Sequence, residues 1–161
     1  MFKKFNLLFL TFFKIGKIKY APGTIASLIT CLLFLLLINI FNIFLISLFT
    51  LIIFCYSLLA INNSFEEFDS EDPQEIVMDE VVGQMLPLLA IPIYETLYPL
   101  PKIYYCVAAF LLFRLFDIWK PYPISYVDNN IKSALGIMLD DILASVFAIT
   151  ILIIIFFFFG G

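Results

Sequence analysis

Acidic residues gather at the ends of apolar segments in this chain, where a carboxylate is costly unless it serves a cation or a proton path. Pro73 suits the first turn of a helix with Asp72 as its N-cap, which would place Glu75 and Asp79 on one helical face beside Glu80. Like charges at that spacing repel each other, so a cation between them would stabilise the array. A solvated acidic face at a helix start is the alternative interpretation.

A second group of charged residues recurs at intervals of three: Arg114, Asp117 and Lys120. Pro121 ends the helix there, so the three side chains project to neighbouring positions. Arginine offers a planar fork for phosphate oxygens, lysine a point charge, and aspartate can hold a metal or orient the arginine. The alternative is a positively charged membrane anchor beside an interfacial Trp119.

Two further features suit phosphate chemistry. Asp140 and Asp141 precede the last apolar segment and offer the hard oxygen ligands that Mg²⁺ prefers. Neighbouring helical residues point about 100° apart, so one of the pair should face a site directly, and the sequence favours neither. The run Ala21-Pro22-Gly23-Thr24 predicts a helix start whose free N–H groups could meet a phosphate. Alternatively, the two aspartates only complement the helix dipole, and the Pro-Gly-Thr run is an ordinary helix start.

Composition indicates an integral membrane protein. Of the 161 residues, 63% are hydrophobic, 18% aromatic and only 14% charged, and the mean hydropathy is +1.08. We therefore expect one membrane-embedded domain over residues 1–161, with residues 1–19 as a retained basic segment at the membrane surface. Cys31, Cys55 and Cys106 all lie in apolar runs and are expected to be buried, structural thiols.

The apolar segments predict an all-α, polytopic helical bundle with four to five membrane segments. The apolar run 24–61 is nearly twice the roughly 20 residues that span a bilayer, so it should turn back near Asn39 and Asn42. Pro87 and Pro92 should kink or break the third segment. The predicted segments are 23–39, 43–62, 81–97, 103–117 and 142–159.

The positive charges predict the orientation of these segments. With a cytoplasmic N-terminus and five crossings, only Lys102 lies outside. The same topology brings the acidic groups around residues 72–80, 117 and 140–141 to the cytoplasmic face. The positively charged residues on that face are Lys3, Lys4, Lys14, Lys17, Lys19, Arg114, Lys120 and Lys132.

Four stretches, in this order, resemble the bacterial phosphatidylglycerophosphatase A family. They are Ala21-Pro22-Gly23-Thr24, Ile76-Val77-Met78-Asp79-Glu80-Val81-Val82-Gly83, Phe113-Arg114-Leu115-Phe116-Asp117-Ile118-Trp119-Lys120-Pro121-Tyr122-Pro123-Ile124 and Gly136-Ile137-Met138-Leu139-Asp140-Asp141. The resemblance implies Mg²⁺-dependent hydrolysis of phosphatidylglycerophosphate to phosphatidylglycerol and inorganic phosphate, at the cytoplasmic face of the bacterial inner membrane. The partners implied are this phospholipid and the membrane, with no nucleic acid.

Other phosphatase designs are excluded by what the sequence lacks. The chain has no histidine, no Asp-x-Asp pair and no cysteine six residues before an arginine. Water activated on a metal, or attack by a carboxylate, remains, and we favour the first. We expect catalytic roles for Asp79, Glu80 and Asp117. The expected metal ligands are Asp79, Asp117, Asp140 and Asp141, the expected phosphate-binding residues Arg114, Lys120 and Thr24, and the further candidate acids Asp72 and Glu75.

Two other function classes stay open from the residues alone. A small cation or proton transporter would also place carboxylates in a membrane protein, but spread through the bilayer depth. Here Glu95 is the acid far from the predicted cytoplasmic face. A structural subunit that recruits partner proteins is the second alternative, and it would not explain the spacing of Arg114, Asp117 and Lys120.

Overall fold

The computed structural model describes residues 2–64 and 75–160, and the regular structure within these two ranges is entirely helical. The predicted all-α fold is therefore confirmed. The helices are α1 (Phe2–Leu10), α2 (Pro22–Leu37), α3 (Ile43–Ser64), α4 (Met78–Leu89), α5 (Ile91–Leu97), α6 (Lys102–Trp119), α7 (Ile124–Asn130) and α8 (Ala134–Gly160), with a short 3₁₀ helix at Ile15–Lys17.

The long apolar run is divided into two helices, α2 and α3, by a short connection at residues 38–42, where the sequence predicts a turn. Asn42 begins α3 by accepting a hydrogen bond from the Leu45 N–H at 2.9 Å. At the end of α2, the Asn39 side-chain amide donates to the Leu35 carbonyl at 2.6 Å. The two asparagines thus satisfy backbone groups at the turn that the helices themselves leave free.

Among the residues that the structure describes, two helices are long and apolar enough to cross a bilayer: Ile43–Ser64, with a mean hydropathy of 2.6, and Ala134–Phe159, with 3.0. Only 22% and 28% of their most apolar windows are buried inside the protein. Most side chains within those windows are therefore partly or fully accessible at the surface of the protein.

The third apolar segment folds as two helices that meet at Ala90. Pro87 lies inside α4, and Pro92 occupies the first turn of α5, where the missing N–H of proline has no cost. At 12 residues, α4 is about 18 Å long, shorter than the hydrocarbon core. Its start also corrects a prediction, because α4 begins at Met78 and Glu75 lies before the helix rather than on its face.

The beginning of α4 is fixed by the N-terminal segment. The Val77 N–H donates to the Leu10 carbonyl at 3.0 Å, and Leu10 is fully buried. Gly16 lies against the Glu75 backbone so closely that a Cβ there would come 1.9 Å from the Glu75 carbonyl oxygen. Part of the basic segment 1–19 therefore belongs to the core and holds the chain that enters α4.

Helix α8 packs against α3, α4, α5, α6 and α7 and lies at the centre of the bundle. Gly83 lets α4 approach both α6 and α8, since a Cβ at Gly83 would come within 2.8 Å of Phe113 and 2.9 Å of Asp141. The Ser145 hydroxyl lies 2.6 Å from the Gly83 carbonyl and joins α8 to α4. This packing brings the starts of α2 and α4, the end of α6 and the first half of α8 together.

Candidate active site

The four helix ends, together with α7, enclose a cavity of about 430 Å³. Thr24 comes from α2, Asp79 and Glu80 from α4, and the other predicted residues from α6, the turn after it, and α8. The predicted site residues that line the cavity are Thr24, Asp79, Glu80, Arg114, Asp117, Lys120, Asp140 and Asp141.

Three carboxylates form the inner wall of this cavity. One carboxylate oxygen from each of Asp79, Glu80 and Asp141 lies within 4.8 Å of the others. Asp79 Oδ1, Glu80 Oε2 and Asp141 Oδ2 are buried and have no hydrogen-bond partner among the described residues. Buried acceptors without donors are costly, so this arrangement of oxygen atoms fits a hard cation such as Mg²⁺.

Burial raises the pKa of Asp79 well above its ordinary value, and the neighbouring carboxylate of Glu80 raises it further. Burial also raises the pKa of Glu80, although Asp79 and the positive charge of Arg114 act in the opposite direction. The two groups repel each other as anions. A positive charge between them would favour the ionised form of both.

Arg114 and Asp117 form an ion pair at the end of α6. Arg114 Nη1 lies 2.6 Å from Asp117 Oδ2, and each side chain is 13% exposed. The i, i+3 spacing on one helix produces this contact. Of the two roles considered for Asp117, metal ligand and partner of the arginine, the geometry shows the second, and the buried Arg114 Nε still lacks a partner among the described residues.

Lys120 joins two carboxylates from different helices. Its Nζ donates to Asp128 Oδ1 at 2.5 Å and to Asp140 Oδ2 at 2.8 Å. Burial would lower the pKa of Lys120, but its hydrogen bonds to the Asp128 and Asp140 carboxylates raise the pKa above its ordinary value. Lys120 also has a left-handed backbone conformation (φ 45°, ψ 57°) that ends α6 and turns the chain toward α7.

The start of α2 closes the cavity from the remaining side. Pro22 occupies the first helical turn and Gly23 is buried. A Cβ at Gly23 would lie 1.9 Å from Glu80 Oε1 and 3.3 Å from Arg114 Nη1. Glycine therefore allows the N-terminus of α2, with its free N–H groups and Thr24, to approach both the carboxylates and the arginine.

Some predicted residues lie elsewhere, and others were missed. Glu75 is exposed and lies 3.5 Å from Lys17 at the surface, outside the cavity, while Asp72 lies outside the described residues. Asp128 and Lys132 line the cavity without having been predicted as site residues. Asp128 is an acidic residue between the Lys120 and Asp140 motifs, and this position in the sequence could have suggested a role in the site. Its contact with Lys120, however, depends on the tertiary fold.

The lining charges divide into pairs and an unpaired group. Asp117 neutralises Arg114, and Asp140 shares Lys120 with Asp128. Asp79, Glu80 and Asp141 are left together without a basic partner among the described residues. The cavity therefore offers a carboxylate group for a metal ion beside an arginine, a lysine and a helix start that can bind an anion.

Comparison with known proteins links this geometry to lipid phosphatases. The sequence profile of phosphatidylglycerophosphatase A matches residues 8–156. A Haemophilus influenzae phosphatidylglycerophosphatase A is 34% identical over 84% of this chain and 79% of its own length. The Escherichia coli phosphatidylglycerophosphatase A is 33% identical over 61% of this chain and 53% of its own.

A third relative has a name with a different substrate. A Bacteroides thetaiotaomicron protein, provisionally named a phosphatidylinositol-3-phosphatase, is 33% identical over 86% of this chain and 85% of its own length. No solved structure matches the chain significantly. The three relatives have in common a name that gives a phosphate ester of a phospholipid as the substrate.

Proposed function

Because the chain belongs to the phosphatidylglycerophosphatase A family, we propose that it uses Mg²⁺ to hydrolyse phosphatidylglycerophosphate at a membrane surface. The family and the named relatives identify the chain as a phosphatase that releases inorganic phosphate and phosphatidylglycerol. The metal requirement and the residue roles are our proposal. They rest chiefly on the three unpartnered carboxylate oxygens of Asp79, Glu80 and Asp141 beside Arg114.

We assign the metal site to Asp79, Glu80 and Asp141. This differs from the set expected from the sequence, because Asp117 and Asp140 have basic partners in the folded chain. A bound Mg²⁺ would supply positive charge to the phosphate oxygens and make a nearby water molecule more acidic. The oxygen-only donor set and its burial suit this ion better than a softer metal.

Arg114, Lys120 and the start of α2 bind the substrate phosphate in this proposal. Asp117 holds the guanidinium of Arg114 in place in the wall of the cavity, so that it does not have to be positioned again when a phosphate binds. The Gly23 and Thr24 N–H groups at the first turn of α2 add neutral donors. Together these groups neutralise the charge that accumulates on the phosphate oxygens in the transition state.

Hydrolysis then proceeds by attack of water on phosphorus. The new P–O bond forms as the bond from phosphorus to the glycerol oxygen breaks, and that oxygen takes up a proton to give phosphatidylglycerol. Glu80 accepts the proton that the attacking water loses through Oε1, the oxygen beside Gly23 at the start of α2, while its unpartnered Oε2 is the oxygen assigned to the metal. Charge neutralisation around the phosphate makes each of these bond changes easier.

The protein crosses the bacterial inner membrane several times, with the cavity at the cytoplasmic headgroup layer. Helices α3 and α8 are the clearest spans, α2 and α6 add shorter apolar ones, and α4 with α5 forms the broken one, beginning after Glu80. Eight of nine basic residues then lie on the cytoplasmic side, in agreement with the usual charge bias. The scissile phosphate of a lipid would reach the cavity without leaving the headgroup layer.

Phosphate release from phosphatidylglycerophosphate by the purified protein in detergent tests this proposal. We expect release with Mg²⁺, loss of release with a chelator, and recovery when Mg²⁺ is added back. Asp79→Asn and Asp141→Asn should each lower kcat by at least about 10²-fold. Glu95→Gln is the matched control, because Glu95 forms an exposed ion pair with Lys102 outside the cavity.

The substrate is tested in the same assay by comparing phosphatidylglycerophosphate with phosphatidylinositol 3-phosphate. A higher kcat/KM for the second lipid would overturn the substrate assignment while keeping the phosphatase. Equal release with and without the chelator would exclude the metal. Wild-type activity in Asp79→Asn would refute the assignment of the three carboxylates to the active site.

A further inference from the structure

Asp128 is a charged residue of the cavity wall to which the proposed chemistry gives no role. It lies on α7, a helix that the apolar pattern did not predict, and its side chain is 24% exposed. The Asp128 carboxylate accepts a hydrogen bond from Lys120 Nζ at 2.5 Å. It therefore acts on the one lysine that the proposed function assigns to the phosphate.

Lys120 has limited capacity left for a phosphate. An ammonium group has three N–H donors, and two of them are directed at Asp128 and Asp140. One donor remains for a phosphate oxygen. Two carboxylates at this distance also offset the single positive charge of Lys120, so its attraction for an anion is much weaker than that of a free lysine.

Such weakening has a use in a phosphatase. Inorganic phosphate is still an anion at neutral pH and has the same phosphate oxygens as the ester it came from, so a site with strong cations retains its product. Release of product limits the turnover of many enzymes. Asp128 is suited to counter this retention because it adds, from α7, a second negative charge to the one that Asp140 brings to Lys120 from α8.

We propose that Asp128 is a positioning residue and counter-ion for Lys120, which weakens the hold of the site on inorganic phosphate and so permits product release. This inference rests on the proposed function, because it requires Lys120 to contact the phosphate. Asp128 itself touches no reacting atom. Lys132 supports the placement of Asp128, since its Nζ donates to the Asp128 backbone carbonyl at 2.7 Å.

Asp128→Asn separates this role from a purely structural one. The amide oxygen of asparagine can still accept the hydrogen bond from Lys120, but the negative charge is gone. We expect the dissociation constant of inorganic phosphate to fall by about threefold to tenfold, with KM and kcat falling together. A residue that only held α7 in place would instead give weaker phosphate binding and a lower unfolding temperature.

Calorimetric titration of the purified protein with inorganic phosphate, in the presence of Mg²⁺, gives the decisive measurement. Glu95→Gln removes the same charge far from the cavity and should leave the phosphate dissociation constant unchanged. Asp128→Ala, which also removes the hydrogen bond, should bind phosphate less tightly than Asp128→Asn because Lys120 is then less well positioned.

Unchanged or weaker phosphate binding by Asp128→Asn overturns the inference, whatever happens to the rate. Binding does not require turnover, so failure of the proposed reaction is distinguishable. If wild-type protein releases no phosphate from the lipid but Asp128→Asn binds inorganic phosphate more tightly, the counter-ion role stands and the substrate assignment fails. If neither wild-type protein nor Asp128→Asn binds phosphate, the counter-ion role fails, while the proposed reaction is decided separately by phosphate release from the lipid.

Discussion

Replacing Gly23 with alanine should displace the Glu80 carboxylate and leave the fold intact. A Cβ at residue 23 would lie 1.9 Å from Glu80 Oε1 and 2.7 Å from Glu80 Cδ. Comfortable contact between heavy atoms begins near 3.4 Å, so the carboxylate oxygen has to retreat by about 1.5 Å. Arg114 Nη1, at 3.3 Å, has to yield only by tenths of an ångström.

The two consequences of this change differ greatly in size. Both close contacts are to the end of a flexible side chain, so Glu80 can leave its rotamer at a cost of about 0.5–1.5 kcal/mol while α2 stays in place. Alanine regains about 0.5–1 kcal/mol over glycine in a helix. Misplacing a catalytic group by about 1 Å can cost about 10²-fold in rate. We therefore expect a nearly unchanged unfolding temperature and a kcat about 100-fold lower.

Phosphate release at saturating lipid and Mg²⁺, combined with thermal unfolding, measures both effects. Leu28→Ala is the control on the same helix, because Leu28 is 48% exposed and faces away from the site. Glu80→Asp shortens the side chain, so Gly23→Ala should cost less in that background than in the wild type. Wild-type kcat in Gly23→Ala would refute the requirement for Glu80 in its present position.

Three further predictions follow from other contacts. Gly16→Ala should lower stability by about 1–3 kcal/mol in chemical unfolding, because its Cβ would meet the backbone oxygen of Glu75 at 1.9 Å and a backbone cannot swing aside. Arg114→Lys should lower kcat/KM by about 10- to 100-fold with little change in unfolding temperature, because lysine keeps the charge but loses the planar fork beside Asp117. The carboxylates raise the pKa of Lys120 above its ordinary 10.5, so the stability from its ion pairs is fully present below that pH and is lost only as the pH rises through the folded-state value. Lys120 therefore stays charged between about pH 7 and pH 10, and any loss of activity in that range comes from another group. The pH–rate profile of Lys120→Arg should then show that loss at the same pH as the wild type.

The helices that could be predicted from the sequence are those whose number follows from the length of an apolar run. A 38-residue apolar run is nearly twice as long as a single membrane span, and Asn39 and Asn42 are its two asparagines, so a break between α2 and α3 near these residues follows. The start of α4 could not be predicted in the same way. Asp72 and Pro73 are good helix-start residues, but the backbone contacts of Glu75 and Val77 with the N-terminal segment delay the helix to Met78.

Most residues that line the cavity could be predicted from the sequence. Which of the acidic residues pair with basic side chains, and which are left for a metal ion, could not. Local spacing indicated that Asp117 could serve either a metal or Arg114, and only the folded helix shows a 2.6 Å ion pair. For Asp140 and Asp141, adjacent on α8, spacing along the chain favours neither as the metal ligand. Lys120 reaches Asp140 from another element, which leaves Asp141 to face the carboxylates of α4.

The balance of charge in the cavity explains why this division matters. Six carboxylates and three basic side chains line it, so a phosphate would enter a site with excess negative charge. Pairing Asp117, Asp128 and Asp140 with Arg114 and Lys120 confines that excess to Asp79, Glu80 and Asp141. A divalent cation at those three reduces the excess from three negative charges to one and presents a positive charge directly to the phosphate. A cation shared among all six carboxylates would instead compete with the ion pairs that hold the phosphate-binding residues. The same argument predicts that removing one of the three unpaired acids weakens Mg²⁺ binding, while Asp117→Asn changes the affinity for phosphate and leaves the affinity for Mg²⁺ nearly unaltered, which titration with each ion alone would measure.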